Sequence, residues 1–380
     1  MKHSSLTKKK SIAFVINVDW FFCSHFKEIA LLAIAEGHCV YLLTTNTGLK
    51  EDIEQCGLKF IDIGLERSGK TFLNEIKYIN SLYKELNIIN PDVIEFITIK
   101  PVIYGALLSR FLNGSEIYAY VSGLGFLFGN NKKFALGKFF MKSFIYPFAL
   151  RYKSINIIVE NQEDRKIISK ISKRRQDDIK VINGVGVDLS EFQNNTSSIK
   201  PTKIIIVARL LKDKGIFEFI KIAEILSKKY ENLKFTIVGD MDTSNPMSLK
   251  QNQVDQINKN ASIIFLGRRR DISSLLNASD IFLFPSYREG FPKVLMEAAA
   301  SGLPAIAFDV AGCRDAIIDN ETGYLAPFNN VDILLQKLDY LLSNHDEFKR
   351  MSINARNHAE KNFSNNAISK IHLHELLKNE

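Results

Sequence analysis

No stretch of about 18 uncharged apolar residues occurs in this chain of 380, which excludes a membrane-spanning helix. Cysteine is scarce: Cys23, Cys39, Cys56 and Cys313 are scattered, with no CxxC and no histidine pair nearby. That spacing excludes a disulfide framework or a structural zinc site and fits a reducing cytosol. Nine prolines and 20 glycines, in a chain that is 46% apolar and 24% charged, exclude collagen, low-complexity scaffolds and disorder. Nothing resembling an RNP signature, a helix-turn-helix or a zinc finger accompanies the net charge of +8, so nucleic acid is not an expected partner.

The amino terminus invites one misreading. Lys8, Lys9 and Lys10 precede the apolar run Ser11-Ile-Ala-Phe-Val-Ile-Asn-Val, as in a signal peptide. Asn17 and Asp19 interrupt the run and no small-residue cleavage site follows, so it reads as a buried first strand behind a basic tail. The expected location is inside the cell.

The cations are unevenly placed. Between Lys132 and Lys153 stand Lys132, Lys133, Lys138, Lys142, Arg151 and Lys153 without an Asp or Glu, interleaved with Phe134, Phe139, Phe140, Phe144, Tyr146 and Phe148. Such a stretch is a candidate for lying on an anionic bilayer surface. A core helix with a solvated basic face is the competing reading.

Short β-branched runs alternate with helical patterns throughout. Expected strands are 13–18, 39–44, 59–63, 93–97, 117–121, 155–160 and 179–182, then 203–208, 234–239, 262–266, 281–284 and 305–308. Helix-length stretches between them include His25–Glu36, Asn74–Asn87, Gly215–Tyr230 and Lys293–Ser301. This alternation implies parallel sheets covered by helices, an α/β chain of two doubly wound, Rossmann-like domains facing across a cleft. The polar run at Gln193 marks the break, giving domains 1–192 and 193–345. A third segment, 346–380, reads as helix able to pack back on either domain, the N-terminal one included.

The most informative stretch runs from Asp280 to Ala298. A strand ends at Phe284, a loop carries Glu289, Gly290 and Phe291, and Pro292 suits a first helical position. Backbone N–H groups from Gly290 to Val294, with Lys293 between them, form an anion site by geometry. Glu289 and Glu297 bracket it, and carboxylates accept the hydroxyl hydrogen bonds of a sugar ring or a ribose. A second group, Arg209 at a strand end and Lys214 before Gly215, can neutralise a diphosphate without a metal. Asp240-Met-Asp242 matches a metal-binding Asp-x-Asp pattern, but cations already meet that electrostatic need, and no metal or other cofactor is expected.

Glu-x7-Glu followed by Ala-Ser-Gly-Leu-Pro, the Arg209/Lys214 pair and Asn183-Gly-Val-Gly-Val-Asp together resemble family-4 retaining glycosyltransferases of the GT-B fold. Asp19-Trp-Phe-Phe-Cys-Ser-His, Thr98-Ile-Lys-Pro-Val-Ile-Tyr-Gly and Ser122-Gly-Leu-Gly-Phe resemble the branch that builds bacterial capsule, O-antigen and lipid-linked glycans. The resemblance implies catalytic roles for Arg209 and Lys214 on the leaving diphosphate, and for Glu289 on the transferred sugar. It implies donor contacts from Glu297, Gly290, Phe291, Pro292, Lys293 and Val294, with Arg268 beside the base. On the acceptor side it points to His25, Lys100, Gly123 and Gly125. Two departures stand out: Glu95-Phe-Ile-Thr where many members carry histidine, and Phe26 where others carry arginine.

The activity so implied is retaining transfer of a hexose or N-acetylhexosamine from a nucleotide sugar, UDP being expected over GDP. The acceptor would be a polyprenyl-pyrophosphate-linked glycan, and the enzyme would be peripheral on the cytoplasmic face of the plasma membrane. A nucleotide-sugar epimerase on the same scaffold and a non-catalytic nucleotide-sugar-binding membrane subunit are the alternatives.

Overall fold

The computed structural model describes residues 9–64, 72–112, 114–124, 149–152, 154–193, 200–243 and 245–378. They form two compact units. The first holds the described residues up to Val185 together with those from Ile368 onward; the second runs Gly186–Ala367.

The first unit is built on a parallel sheet of β1 (Ser11–Val18), β2 (Cys39–Thr45), β3 (Lys59–Asp62), β4 (Val93–Ile97), β5 (Glu116–Val121), β6 (Ile155–Val159) and β7 (Ile179–Val181). Their order is β3-β2-β1-β4-β5-β6-β7, and every pairing is parallel. Strands covered on both faces need continuous apolar sequence. β1 meets that need, with Ile12 to Ile16 wholly buried, so the run behind the basic tail is a central strand.

The second unit repeats the design with β8 (Lys203–Val207), β9 (Lys234–Val238), β10 (Ile263–Phe265), β11 (Ile281–Phe284), β12 (Ala305–Phe308) and β13 (Gly323–Ala326). The order is β10-β9-β8-β11-β12-β13, again all parallel. β13 went unforeseen in the sequence: it has four residues and opens on a glycine, which period and propensity both read as a turn. The glycine is required, because a Cβ at Gly323 would stand 2.0 Å from the Ala305 carbonyl of β12.

Each sheet reverses its strand order once. In the first the reversal lies between β1 and β4, in the second between β8 and β11. Open α/β sheets bind ligands outside the carboxyl ends of the strands at such points.

The carboxyl-terminal helices divide between the units differently from a single 346–380 block. Helix His345–Asn362 stays with the second unit. Its Ser352 hydroxyl donates to the Gly302 carbonyl at 2.6 Å, and Arg356 donates to the carbonyls of Phe192 and Ala300. From Ile368 the chain joins the first unit, partway along helix Asn365–Leu377. The boundary preceding the second unit, at Val185/Gly186, lies ahead of the polar run because Val187 already hydrogen-bonds to the Phe363 carbonyl at 2.8 Å.

Both departures from the family pattern meet in one buried cluster of the first unit. Glu95, on β4, accepts a 2.7 Å hydrogen bond from His372 Nε2, and both side chains are fully buried. Tyr120 stacks on the His372 ring at 5.3 Å, and Phe26 meets Tyr120 edge-on at 5.1 Å and His372 at 6.2 Å. Glu95 and Phe26 therefore anchor the last helix to the sheet. Removing one member of such a buried pair costs about 3–5 kcal/mol.

Candidate functional site

The two strands flanking the reversal in the second sheet carry the two groups of residues singled out in the sequence. β8 leads to Arg209 and Lys214; β11 leads to Glu289 and the helix Lys293–Ala300. Their loops touch through backbone. Gly215 has φ +71°, and a Cβ there would stand 2.0 Å from the Pro285 carbonyl. Tyr287 N–H donates to the Asp213 carbonyl at 2.9 Å.

This contact delivers Lys214 Nζ to Glu289 Oε1 at 2.7 Å, with the side chains 17% and 9% exposed. Ser286 Oγ donates to the same oxygen at 2.5 Å. Glu297 is engaged separately by Lys293, one helical turn before it, at 3.0 Å. Arg209 pairs with Asp242 at 2.7 Å. The Asp-x-Asp tripeptide is thus split in use: Asp242 holds Arg209, while Asp240 accepts from the Met241 N–H at 2.7 Å.

One local expectation needs correction, the place of Pro292 in the helix. Pro292 is the residue before the helix, with ψ 113°, and the first helical residue is Lys293. The extended ψ keeps the proline outside the first turn, so the N–H groups without intrahelical acceptors begin at Lys293 and Val294. Phe291 is 6% exposed and its ring packs on Phe363 at 5.8 Å, so its side chain belongs to the core. Arg268 is exposed beyond β10, the edge strand, and no described contact joins it to Lys214 or Glu289.

Gly312 supports the site without appearing among the sequence candidates. A Cβ on it would stand 2.1 Å from the Gly290 carbonyl and 3.1 Å from Glu289 Cβ, so only glycine lets helix Ala311–Ala316 back the loop. The pairing of Asp242 with Arg209 and the bond from Ser286 to Glu289 also escaped sequence reasoning, although both residues lie within quoted motifs. Cys313 is buried beside the pair; burial first, then the Glu289 charge, pushes its thiol well above the ordinary range. Tyr287 donates to Glu218 at 2.8 Å, and burial together with that acceptor pushes its hydroxyl up to about 12.

On the acceptor side, His25 ends the short helix Asp19–His25, which starts directly at the end of β1, instead of opening the following helix. Its Nδ1 lies 2.6 Å from Ser24 Oγ and its ring stacks on Phe21 at 4.1 Å. The turn is held by buried Asp19, which accepts from the N–H groups of Trp20, Thr47 and Leu49. Lys100, in the first turn after β4, is 2.8 Å from Glu75, which also accepts from Tyr104. Burial opposes ionisation of Glu75, but the bonds from Lys100 and Tyr104 hold its carboxyl below the ordinary value. Gly123 has φ +74° at the end of β5. Gly125 and the cations Lys132, Lys133, Lys138, Lys142 and Lys153 lie outside the described residues.

Two family models match this chain. "Glycosyl transferases group 1" covers residues 188–358 and "Glycosyl transferase 4-like" covers residues 11–161. The chain belongs to the glycosyltransferases. Among its relatives is the N,N'-diacetylbacillosaminyl-diphospho-undecaprenol alpha-1,3-N-acetylgalactosaminyltransferase of Campylobacter jejuni, 29% identical over 84% of this glycosyltransferase and 85% of the relative. Another is the UDP-Gal:alpha-D-GlcNAc-diphosphoundecaprenol alpha-1,3-galactosyltransferase of Escherichia coli, 28% identical over 76% and 75% of the two chains. In fold it is similar to HepE of Anabaena, solved in complex with UDP-glucose, with TM-score 0.76 at 17% identity over 98% of this chain and 100% of that one. WaaG, a glycosyltransferase involved in lipopolysaccharide biosynthesis, superposes with TM-score 0.72 at 17% identity, covering 96% of this chain and 99% of its own. The expected GT-B architecture of two parallel-sheet α/β domains is therefore the observed one.

Proposed function

We propose that this glycosyltransferase moves a hexose or N-acetylhexosamine, with retention and without a metal, from a UDP-linked donor to a sugar carried on a lipid diphosphate. The observation that carries the reading is the Lys214–Glu289 pair at the sheet reversal of the second unit. A cation and a hydroxyl acceptor lie side by side there, as the junction of a sugar and its diphosphate requires. Glu297, one turn into the following helix, suits a ribose, and the N–H groups of Lys293 and Val294 suit the distal phosphate. The engagement of Asp242 by Arg209 supports metal-free neutralisation of the diphosphate, because it leaves the tripeptide with one carboxylate already committed. The acceptor class is supported by relatives whose names specify sugars on diphospho-undecaprenol.

In the mechanism that fits these residues, the acceptor oxygen attacks the anomeric carbon from the face of the leaving group. The carbon–oxygen bond to the diphosphate breaks, and the acceptor proton passes to a diphosphate oxygen. Arg209 and Lys214 offset the charge that grows on that group, which is where electrostatic stabilisation is most effective. Glu289, hydrogen-bonded by Lys214 and Ser286, binds a sugar hydroxyl and makes no covalent bond. Such an enzyme works at the cytoplasmic membrane face, where the cationic segment 132–153 would meet anionic lipid.

The test is a mass-spectrometric assay of purified protein with UDP- and GDP-sugars and polyprenyl-diphosphate-linked sugars in EDTA. One sugar's mass added to the lipid, with the anomeric configuration kept, is the expected outcome. Donor conversion without a lipid product would favour an epimerase, and a glycosyl-enzyme trapped on Glu289 would overturn the mechanism.

A further inference from the structure

The tripeptide Asp240-Met-Asp242 matches a metal-binding pattern, yet its second carboxylate lies on a cation. The backbone explains how it comes to be there. β8 and β9 pair in parallel and end at Val207 and Val238. The loops that follow stay in contact. Ala208 N–H donates to the Val238 carbonyl at 3.0 Å and Leu210 N–H to that of Asp240 at 2.9 Å. Lys212 N–H donates to Met247 at 3.0 Å and Leu249 N–H to Leu210 at 2.8 Å. Gly239, with φ +149°, permits this approach, because a Cβ there would stand 1.8 Å from the Ala208 carbonyl. Buried Leu210 and Leu211 anchor the first loop. Asp242 is fixed within the second: its N–H donates to Ser248 Oγ at 3.2 Å, and its carbonyl accepts from Asn245 N–H at 2.8 Å.

From this frame the side chain reaches Arg209, whose Nη1 donates to Asp242 Oδ2 at 2.7 Å. The aspartate side chain is 15% exposed and the arginine 46%. A pair so open to water adds little to stability, so maintenance of the fold does not account for it. A guanidinium is a planar fork, and its Nε–Nη2 edge can grip two oxygens of a phosphate side by side. Asp242 takes Nη1, and among the described residues nothing takes Nε or Nη2. An unanchored arginine spreads over many rotamers. Holding one nitrogen fixes the plane of the fork and leaves its bidentate edge unoccupied.

We propose that Asp242 is a positioning residue for the transfer step. It holds Arg209 by Nη1 and so keeps the Nε–Nη2 edge ready for the diphosphate as that group leaves. The proposal rests on the reading of Arg209 as a cation on the leaving diphosphate. It gives the Asp-x-Asp pattern a use that needs no metal ion. A carboxylate beside the cation weakens its attraction for the donor in the ground state, whereas orientation counts most where charge is growing. Loss of Asp242 should therefore lower kcat and leave the donor KM unchanged or lower.

The experiment is steady-state kinetics of the full chain with UDP- and GDP-sugars and farnesyl-diphosphate-linked sugars, beside thermal melts and titrations with UDP and GDP. Asp242→Ala should lower kcat about tenfold, the effect of a misaligned group, with the donor KM and the nucleotide Kd unchanged or lower. Asp242→Asn keeps an oxygen acceptor for Nη1 and should hold kcat within about threefold of the parent. Adding Asp242→Ala to Arg209→Ala should change the rate of the single arginine variant less than about twofold, because the aspartate acts through the arginine. Melting temperatures of both Asp242 variants should lie within about 3 °C of the parent, whereas a structural aspartate would lower melting and raise KM together. An Asp242→Ala kcat within about twofold of the parent, beside an Arg209→Ala enzyme slowed about a hundredfold, would overturn the positioning role and leave the transferase reading standing. A parent rate raised about tenfold by Mn²⁺, but not in Asp242→Ala, would make Asp242 a metal ligand and also overturn it. A near-parent rate in Arg209→Ala, or no transfer by the parent protein, would overturn the underlying reading and the proposal together.

Discussion

Lys214 offers a prediction in which stability and catalysis move apart. Its ammonium lies 2.7 Å from Glu289, and the two side chains are only 17% and 9% exposed. Lys214→Ala leaves a mostly buried carboxylate that retains the Ser286 hydroxyl as a donor. Breaking a buried pair costs about 3–5 kcal/mol, and the remaining hydrogen bond with the partial solvent access brings this to about 2–3 kcal/mol. For a domain of this size that is a fall of roughly 5–10 °C in Tm. Turnover should fall by ~10²-fold or more, as when a donor to developing charge is removed. Adding Glu289→Gln to Lys214→Ala removes the stranded charge, so the melting temperature should recover most of its loss while turnover does not. Thermal melts and single-turnover rates on the two single variants and the double variant form the assay. A Lys214→Ala enzyme with a near-normal rate, or a double variant that regains both properties, would refute the reasoning.

Three further outcomes are expected. Gly312→Ala forces the loop off the 2.1 Å approach at the Gly290 carbonyl and should lower kcat about tenfold or more with an unchanged far-UV spectrum; an unaltered rate would show that this loop position is not critical. His358 is held below its ordinary value of 6.5, chiefly by burial; its Nδ1 lies 3.0 Å from the Asn362 amide nitrogen, and its buried Nε2 has no partner among the described residues. The unfolded chain then binds the extra proton first, so stability should decline as pH falls through that value and level off below the folded pKa. His358→Phe, whose ring can keep the edge-on contact with Phe363, should flatten that decline in melts from pH 7.5 to about 5, and an identical pH profile would exclude the assignment. Neutralising Lys132, Lys133, Lys138 and Lys142 should release the protein from phosphatidylglycerol vesicles, whereas unchanged pelleting would return that segment to a core helix.

Much of the fold was legible because parallel strands buried on both faces are nearly continuous apolar runs. Ile12 to Ile16 and Ile281 to Phe284 announce themselves without their neighbours. The strand–loop–helix unit from Asp280 to Ala298 was legible for the same reason: its chemistry is local, and only the position of Pro292 shifted by one residue. β13 was hidden, since four residues beginning with glycine carry no period, and their strand character comes from pairing with β12. The roles of Glu95 and Phe26 were hidden as well, because the partner that explains both is His372, 277 residues away from Glu95.

By itself the sequence determined which side chains end most of the strands, since period and apolar runs are set by neighbours along the chain. Only the tertiary structure decided which strand ends adjoin. The order β9-β8-β11-β12 sets Lys214 against Glu289. Strand order depends on hydrogen bonding between segments far apart in sequence, and no local pattern of residues encodes it.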